Sequence, residues 1–136
     1  MLITDCIHPK ILEVLASCGH GDKILIADGN YPLNSCTNDN TTKVFLGLKP
    51  NLPTATDVLN TLNSTVNFEK AEVMDPEKGE EPGIFKEFHD ILNVDELQKL
   101  NRYEFYEAAQ AKNIILGINT GEIRTFANIL LTVGVR

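Results

Sequence analysis

Five consecutive residues, "KILIA" (Lys23–Ala27), restrict the fold more than any other feature of the chain. An apolar run this short, with "GHGD" before it and "DGNYP" after it, is the pattern of a strand covered on both faces. Such a strand needs hydrogen-bonded neighbours on both edges and packing layers above and below. The run therefore predicts a layered α/β domain with this strand near the middle of the sheet.

The rest of the chain supplies those layers. "HPKILEVLASCG" has Pro9 in a first-turn position and Ile11, Leu12, Leu15 and Ala16 at helical spacing, with Gly19 as its stop. "TKVFLGL" reads as a second strand, and "TATDVLNTLNSTV" as a helix whose Thr54 and Asp57 match a capping box. "FEKAEVM" returns to an extended pattern, and the proline-, glycine- and acid-rich "DPEKGEEPG" reads as a solvated loop. "GIFKEFHDIL" puts Ile84, Phe85, Phe88, Ile91 and Leu92 on one helical face and His89 on the other. "NRYEFYEAAQAK" is a further helix with Asn101 as N-cap and Glu104 three residues on. "NIILGIN" and "FANILLTVG" close the chain as strands. No repeat or linker divides these elements, so residues 1–136 are expected to form one three-layer domain, with a mostly parallel or mixed central sheet and helices on its faces.

Charge and cysteine content narrow the function classes. Twelve basic residues face nineteen acidic ones, a net charge of −7, which disfavours nucleic acid as a partner because its phosphates would be repelled. The apolar runs fall far short of the roughly 20 residues of a membrane helix. "MLITDCIHPK" lacks a basic region before its apolar residues and does not read as a secretory signal, so the cytoplasm is the expected compartment. Cys6, Cys18 and Cys36 lack C-x-x-C spacing and read as reduced thiols, with no metal expected.

No phosphate loop, dinucleotide fingerprint or serine elbow is present. Attention falls instead on residues flanking the central run. Gly19 and Gly21 leave the His20 imidazole in an open loop, where it is either an acid/base catalyst or a helix-terminal side chain interacting with free carbonyls. Asp28 ends the strand where α/β sheets collect ligands, although an Asx-type turn to "GNYP" accounts for it equally well. Arg102 and Tyr106 stand four residues apart on one helix face and are suited to holding a polyhydroxy ligand; an exposed arginine beside a half-buried tyrosine is the blander reading. His8 and His89 read as surface residues.

Taken together, "GHGDKILIADGNYP" and "TGEIRTFANILLTVGV" resemble the signature segments of the ribose pyranase and fucose mutarotase family (RbsD/FucU), in order and near the right spacing. "NRYEFYEAAQ" and the glycine after His20 are closer to the fucose branch. The resemblance implies an isomerase that interconverts anomers of a free reducing sugar, L-fucose first, without cofactor or metal. It also implies His20 as the catalytic residue, with Asp28, Arg102, Tyr106, Phe126, Ala127 and Asn128 at substrate-binding positions. Asp28 would accept bonds from sugar hydroxyls and help orient His20. Homo-oligomeric rings, stacked as decamers with sites near subunit boundaries, are implied as well. Phe126 stands where the family usually has tyrosine, which is the main support for a rival reading, a non-catalytic monosaccharide-binding protein of the same family; an isomerase of the ribose pyranase type is a further alternative.

Overall fold

The apolar run forms strand β1, Lys23–Ala27, and its side chains separate the two halves of the core. Ile24 and Ile26 point into one hydrophobic cluster, Leu25 and Ala27 into another, and all four are fully buried. This is the alternation a strand imposes, with both faces covered. A computed structural model describes residues 1–136.

Around β1 the chain places α1 (Pro9–Ser17), β2 (Thr42–Phe45), α2 (Ala55–Asn63), β3 (Phe68–Met74), α3 (Ile84–Ile91), β4 (Leu97–Leu100), α4 (Arg102–Ala109), β5 (Ile114–Asn119) and β6 (Ile129–Val133). The six strands form one sheet in the order β2-β5-β1-β6-β3-β4. β1 pairs parallel with β5 and antiparallel with β6. Five strands share one direction and β6 alone runs against them. The sheet is thus mixed and mostly parallel, as the sequence predicts. Helices α1, α2 and α3 cover one face through residues such as Ile11, Leu59 and Phe88. The other face is covered by α4, through Phe105 and Ala109, and by the segment bearing Tyr31 and Leu33.

Local chemistry explains the helix boundaries. Both predicted capping boxes are present: the side chains of Thr54 and Asn101 accept from the backbone N–H of Asp57 and Glu104, whose carboxylates accept in return. Two details differ from expectation. α1 starts with His8, whose Nδ1 accepts from the Ile11 N–H at 3.3 Å, and it stops at Cys18 rather than Gly19: the chain turns extended there after the Cys18 N–H bonds the Leu15 carbonyl. β4, "LQKL", is an edge strand that the sequence reading does not predict, because its two central residues are polar and exposed and it shows no apolar alternation.

The topology concentrates loop ends on one edge. β1, β3 and β4 all finish there, β6 begins there, and α4 departs from it. β6 lies between β1 and β3 and runs against both, so the loop entering it meets the carboxyl ends of those strands, the edge where open α/β sheets bind ligands. No helix is long and apolar enough to cross a membrane, and all three cysteines are free.

If β1 organises both halves of the core, shortening one central side chain should be costly. Ile26→Ala is expected to lower the unfolding free energy by about 2–5 kcal/mol in urea titrations with an unchanged m-value.

Candidate functional site

Asp28 follows the last residue of β1 and is almost completely buried. Its backbone N–H donates to Oδ1 of Asn128 at 2.8 Å, and its Oδ2 accepts from Nδ2 of Asn128 at 3.1 Å. The reciprocal pair fastens the end of β1 to the residue just before β6. Oδ2 also accepts from the Ala127 N–H at 3.3 Å, and Oδ1 from the Asn30 N–H at 2.9 Å. The second bond is the Asx-type turn foreseen as the structural explanation of Asp28, and it coexists with a place in a pocket wall. Burial pushes the Asp28 carboxyl above its ordinary value near 3.8, opposed by the hydrogen bonds it accepts.

The pocket has a volume of about 140 Å³ and is lined by Asp28, Asn30, Tyr31, Met74, Arg102, Tyr106, Thr125, Phe126 and Asn128. An adjoining cavity of about 210 Å³ shares Arg102 and Phe126 with it. Arg102 and Tyr106 descend from the first turns of α4, so the spacing argument from the sequence holds. Tyr106 stacks on Tyr31 with centroids 5.4 Å apart, and Tyr31 is braced edge-on by Phe105. The Tyr31 hydroxyl is committed to the Cys36 carbonyl at 2.9 Å; burial drives its titration well above the ordinary tyrosine value. Phe126 is held at φ 59°, a left-handed conformation that costs a bulky residue about 1–3 kcal/mol and that concentrates at ligand sites.

Two sequence expectations need correction. Ala127 does not line the pocket: its side chain is buried in the main core, and its contribution is the N–H given to Asp28. His20 is not brought to the pocket either. It precedes β1 whereas Asp28 follows it, and five strand residues at about 3.3 Å each set the two roughly 17 Å apart. Within one chain Asp28 therefore cannot orient His20. The imidazole is exposed at the opposite edge of the sheet, with Nε2 2.9 Å from Oε1 of Glu69.

The sequence reading also missed Asn30, Tyr31, Met74 and Thr125 as lining residues. Proximity to Asp28 was a signal for the first two; Met74 reads only as the end of a strand. It further missed what holds the loop bearing Phe126. The side chain of Glu122 is 1% exposed and accepts from Nε of Arg124 at 2.9 Å, from Nη2 at 3.3 Å and from the Ala55 N–H at 3.3 Å. It therefore fills the N-terminus of α2 as well as pairing with a guanidinium. Arg124 reaches on to Glu87 of α3. Burial alone would raise the Glu122 carboxyl, but the bonds from Arg124 and Ala55 outweigh it and hold it below its ordinary value. A larger groove of about 690 Å³ runs between α3 and β4, but its lysines are already paired, Lys99 with Glu81 and Lys86 with Asp90. No group of three or more His, Cys, Asp or Glu side chains is placed to hold a metal ion.

Comparison with known proteins supplies an independent line. The sequence matches the RbsD / FucU transport protein family over residues 1–136. It is 35% identical to the fucose mutarotase of Mus musculus, over 97% of this chain and 92% of that protein. Among solved structures it resembles RbsD of Bacillus subtilis complexed with D-ribose, with a TM-score of 0.84, 29% identity and coverage of 100% and 99% of the two chains. It also resembles the fucose mutarotase of Streptococcus pneumoniae in complex with L-fucose, at a TM-score of 0.80 and 25% identity, again covering 100% and 99%.

The Glu122 anchor gives a stability prediction with a defined sign. Because the folded carboxyl titrates below the ordinary 4.5, its contribution is present above that value and is lost as pH falls through the lower folded value. Glu122→Gln should lower unfolding free energy by about 1–3 kcal/mol at neutral pH. In urea melts the gap from the wild type should close as the pH is taken below 4.5.

Proposed function

We propose, from the premise that this chain belongs to the RbsD / FucU transport protein family, that it is a cofactor-independent sugar mutarotase acting on L-fucose. The observation that carries the reading is the convergence of Asp28, Asn128, Arg102 and Tyr106 on one small pocket at the carboxyl ends of β1 and β3. A carboxylate, an amide, a guanidinium and a phenol offer acceptors and donors in several directions, which suits a ligand covered in hydroxyls.

His20 enters this reading from a second copy of the chain. Its own pocket is a strand length away, yet it projects into solvent on a fixed turn, ready to face a neighbour. Exposed Phe45, at the end of β2, and Leu48 and Ile123, on the loops after β2 and β5, offer apolar surface for such a neighbour to cover. A closed ring, stacked as a decamer, satisfies every subunit in the same way. Three free cysteines fit a reducing cytoplasm.

The chemistry follows from these groups. Asp28, Asn128 and Arg102 hold the ring hydroxyls. His20 takes the anomeric hydroxyl proton while Tyr106 gives a proton to the ring oxygen. The C1–O5 bond breaks and the aldehyde forms. Rotation about C1–C2 and return of both protons close the ring on the other face. Tyr106 suits the second role because Phe126 has no hydroxyl and that of Tyr31 is already committed. Phe126 packs its ring against the sugar.

The comparisons do not point to one sugar. Identity is 35% to one fucose mutarotase and 25% to another, against 29% for the ribose complex, which also has the higher TM-score. We give the 35% match the greater weight, because side chains read hydroxyl stereochemistry and a difference between 0.84 and 0.80 reports backbone. The binding-protein alternative draws on Phe126 alone.

Magnetization-exchange NMR on L-fucose tests the proposal: the protein should accelerate anomer exchange, His20→Ala should abolish the acceleration, and binding without acceleration would establish the non-catalytic alternative. Mixed oligomers refolded from His20→Ala and Asp28→Asn subunits should regain part of the activity, since some boundaries unite an intact histidine with an intact pocket. Failure of complementation would refute the shared site. Phe126→Tyr should raise the exchange rate only if Tyr106 is not already the proton donor; with the assignment made here, Tyr106→Phe costs about 10²-fold or more and Phe126→Tyr changes little. Because the Asp28 carboxyl titrates above its ordinary value, its ionised form costs stability at neutral pH, a cost removed as pH falls through the folded value. Sugar affinity, which needs that ionised acceptor, should therefore fall on mild acidification, and the fall should be absent in Asp28→Asn.

A further inference from the structure

The turn carrying His20 is tied down at several points. The Asp22 N–H donates to the Gly19 carbonyl at 3.1 Å, closing a four-residue turn in which Gly21 adopts φ 90°, the value that a type II turn reserves for glycine at its third position. The Gly21 N–H then donates to the Val133 carbonyl at 2.9 Å, and the Val133 N–H to the Asp22 carbonyl at 2.8 Å. Nδ2 of Asn113 donates to the Gly21 carbonyl at 3.1 Å. The main chain beneath the imidazole is therefore part of the sheet edge, and the ring makes one side-chain bond, to Glu69.

Glu69 is aimed at that ring by two features. Phe68 pairs with Val133 and Lys70 with Thr132, so Glu69 is the extra residue of a bulge in β3, a device that redirects a side chain. Gly134 then leaves it room: a Cβ at that position would lie 3.0 Å from the Glu69 Cβ and 3.3 Å from its Oε2. Stability does not account for this investment. The His20 and Glu69 side chains are 59% and 43% exposed, and ion pairs so open to solvent add little to stability. A carboxylate on one imidazole nitrogen does something else: it decides which nitrogen carries the proton and which is free to react.

We infer that Glu69 is a positioning residue for His20, accepting the Nε2 proton and leaving Nδ1 as the nitrogen that exchanges a proton with the sugar. The inference rests on the reading of His20 as the acid/base group, and it gives Glu69 the orienting role that the sequence suggested for Asp28. The anomeric hydroxyl proton passes to Nδ1 as the ring oxygen takes the Tyr106 proton and the C1–O5 bond breaks. The imidazolium so formed keeps its Nε2–H on Glu69, whose charge is unchanged. On closure Nδ1 returns its proton and the ring is again the Nε2–H tautomer.

The test uses the assembled protein labelled with ¹⁵N-histidine, its three imidazoles distinguished by subtracting the His20→Ala spectrum. At alkaline pH, where imidazoles are neutral, magic-angle-spinning spectra should show His20 as a single Nε2–H tautomer. Glu69→Ala should give a mixture of tautomers and lower the exchange rate at saturating sugar by about tenfold or more, with KM changed less than twofold. Glu69→Gln retains an acceptor for Nε2–H and should recover the single tautomer and part of the rate. Gly134→Ala, which crowds the Glu69 and Asn67 side chains, should move both readouts in the direction of Glu69→Ala. An unchanged tautomer, or an unchanged rate, in Glu69→Ala overturns the inference. A fast His20→Ala protein would instead refute the acid/base reading, while the tautomer spectra would still decide what Glu69 does.

Discussion

The clasp between Asp28 and Asn128 is the interaction on which the candidate site depends. It joins the last point of the central strand to the first point of the one strand that runs against its neighbours. Without it the reversal of chain direction at β6 would leave a buried carboxylate and a buried amide facing each other unpaired, at about 1–3 kcal/mol for each lost partner. The same clasp draws in the Ala127 N–H, and this fixes the backbone on which Phe126 is held left-handed. Pocket wall and sheet edge are thus one hydrogen-bonded unit.

Two buried carboxylates on either side of that loop are stabilised in different ways, and the difference matches what each does. Glu122 is neutralised by Arg124 and fills a helix N-terminus, so its charge is settled within the chain and it serves as an anchor. Asp28 is surrounded by neutral donors only, so burial raises its carboxyl. A charge that is hydrogen-bonded but not neutralised gains from further donors, and sugar hydroxyls or the guanidinium of Arg102 are the ones within reach of the pocket.

Legibility in the sequence followed the local character of each signal. β1 was visible because four consecutive apolar residues between turn formers have few other uses, and the two capping boxes because each lies within four residues. β4 was not, since a short edge strand half open to solvent needs no apolar pattern. Among site residues, Asp28 and the Arg102–Tyr106 pair were legible from position on an element. The roles of Ala127 and Glu122 were not: one donates only through its backbone, and the other depends on a partner on α2 that is 67 residues away. The most instructive failure is His20. Its nearness to Asp28 in sequence suggested a shared pocket, but an extended strand converts eight positions of separation into most of the sheet's height.

That geometry turns the assembly question into a matter of economy within one domain. A rigid strand cannot bend to bring its two ends together, and a loop long enough to carry His20 over the sheet would have to be ordered residue by residue at about 1–2 kcal/mol each. In the proposed assembly a second copy would supply the other end of the same strand with no new sequence, on a turn already bonded to Val133 and Asn113. Each subunit then needs only to keep its two edges in a constant relation, which is what a strand fully buried between two apolar layers does best. On this argument the central strand sets the distance between the pocket and His20 within each chain, the spacing that the proposed assembly would use.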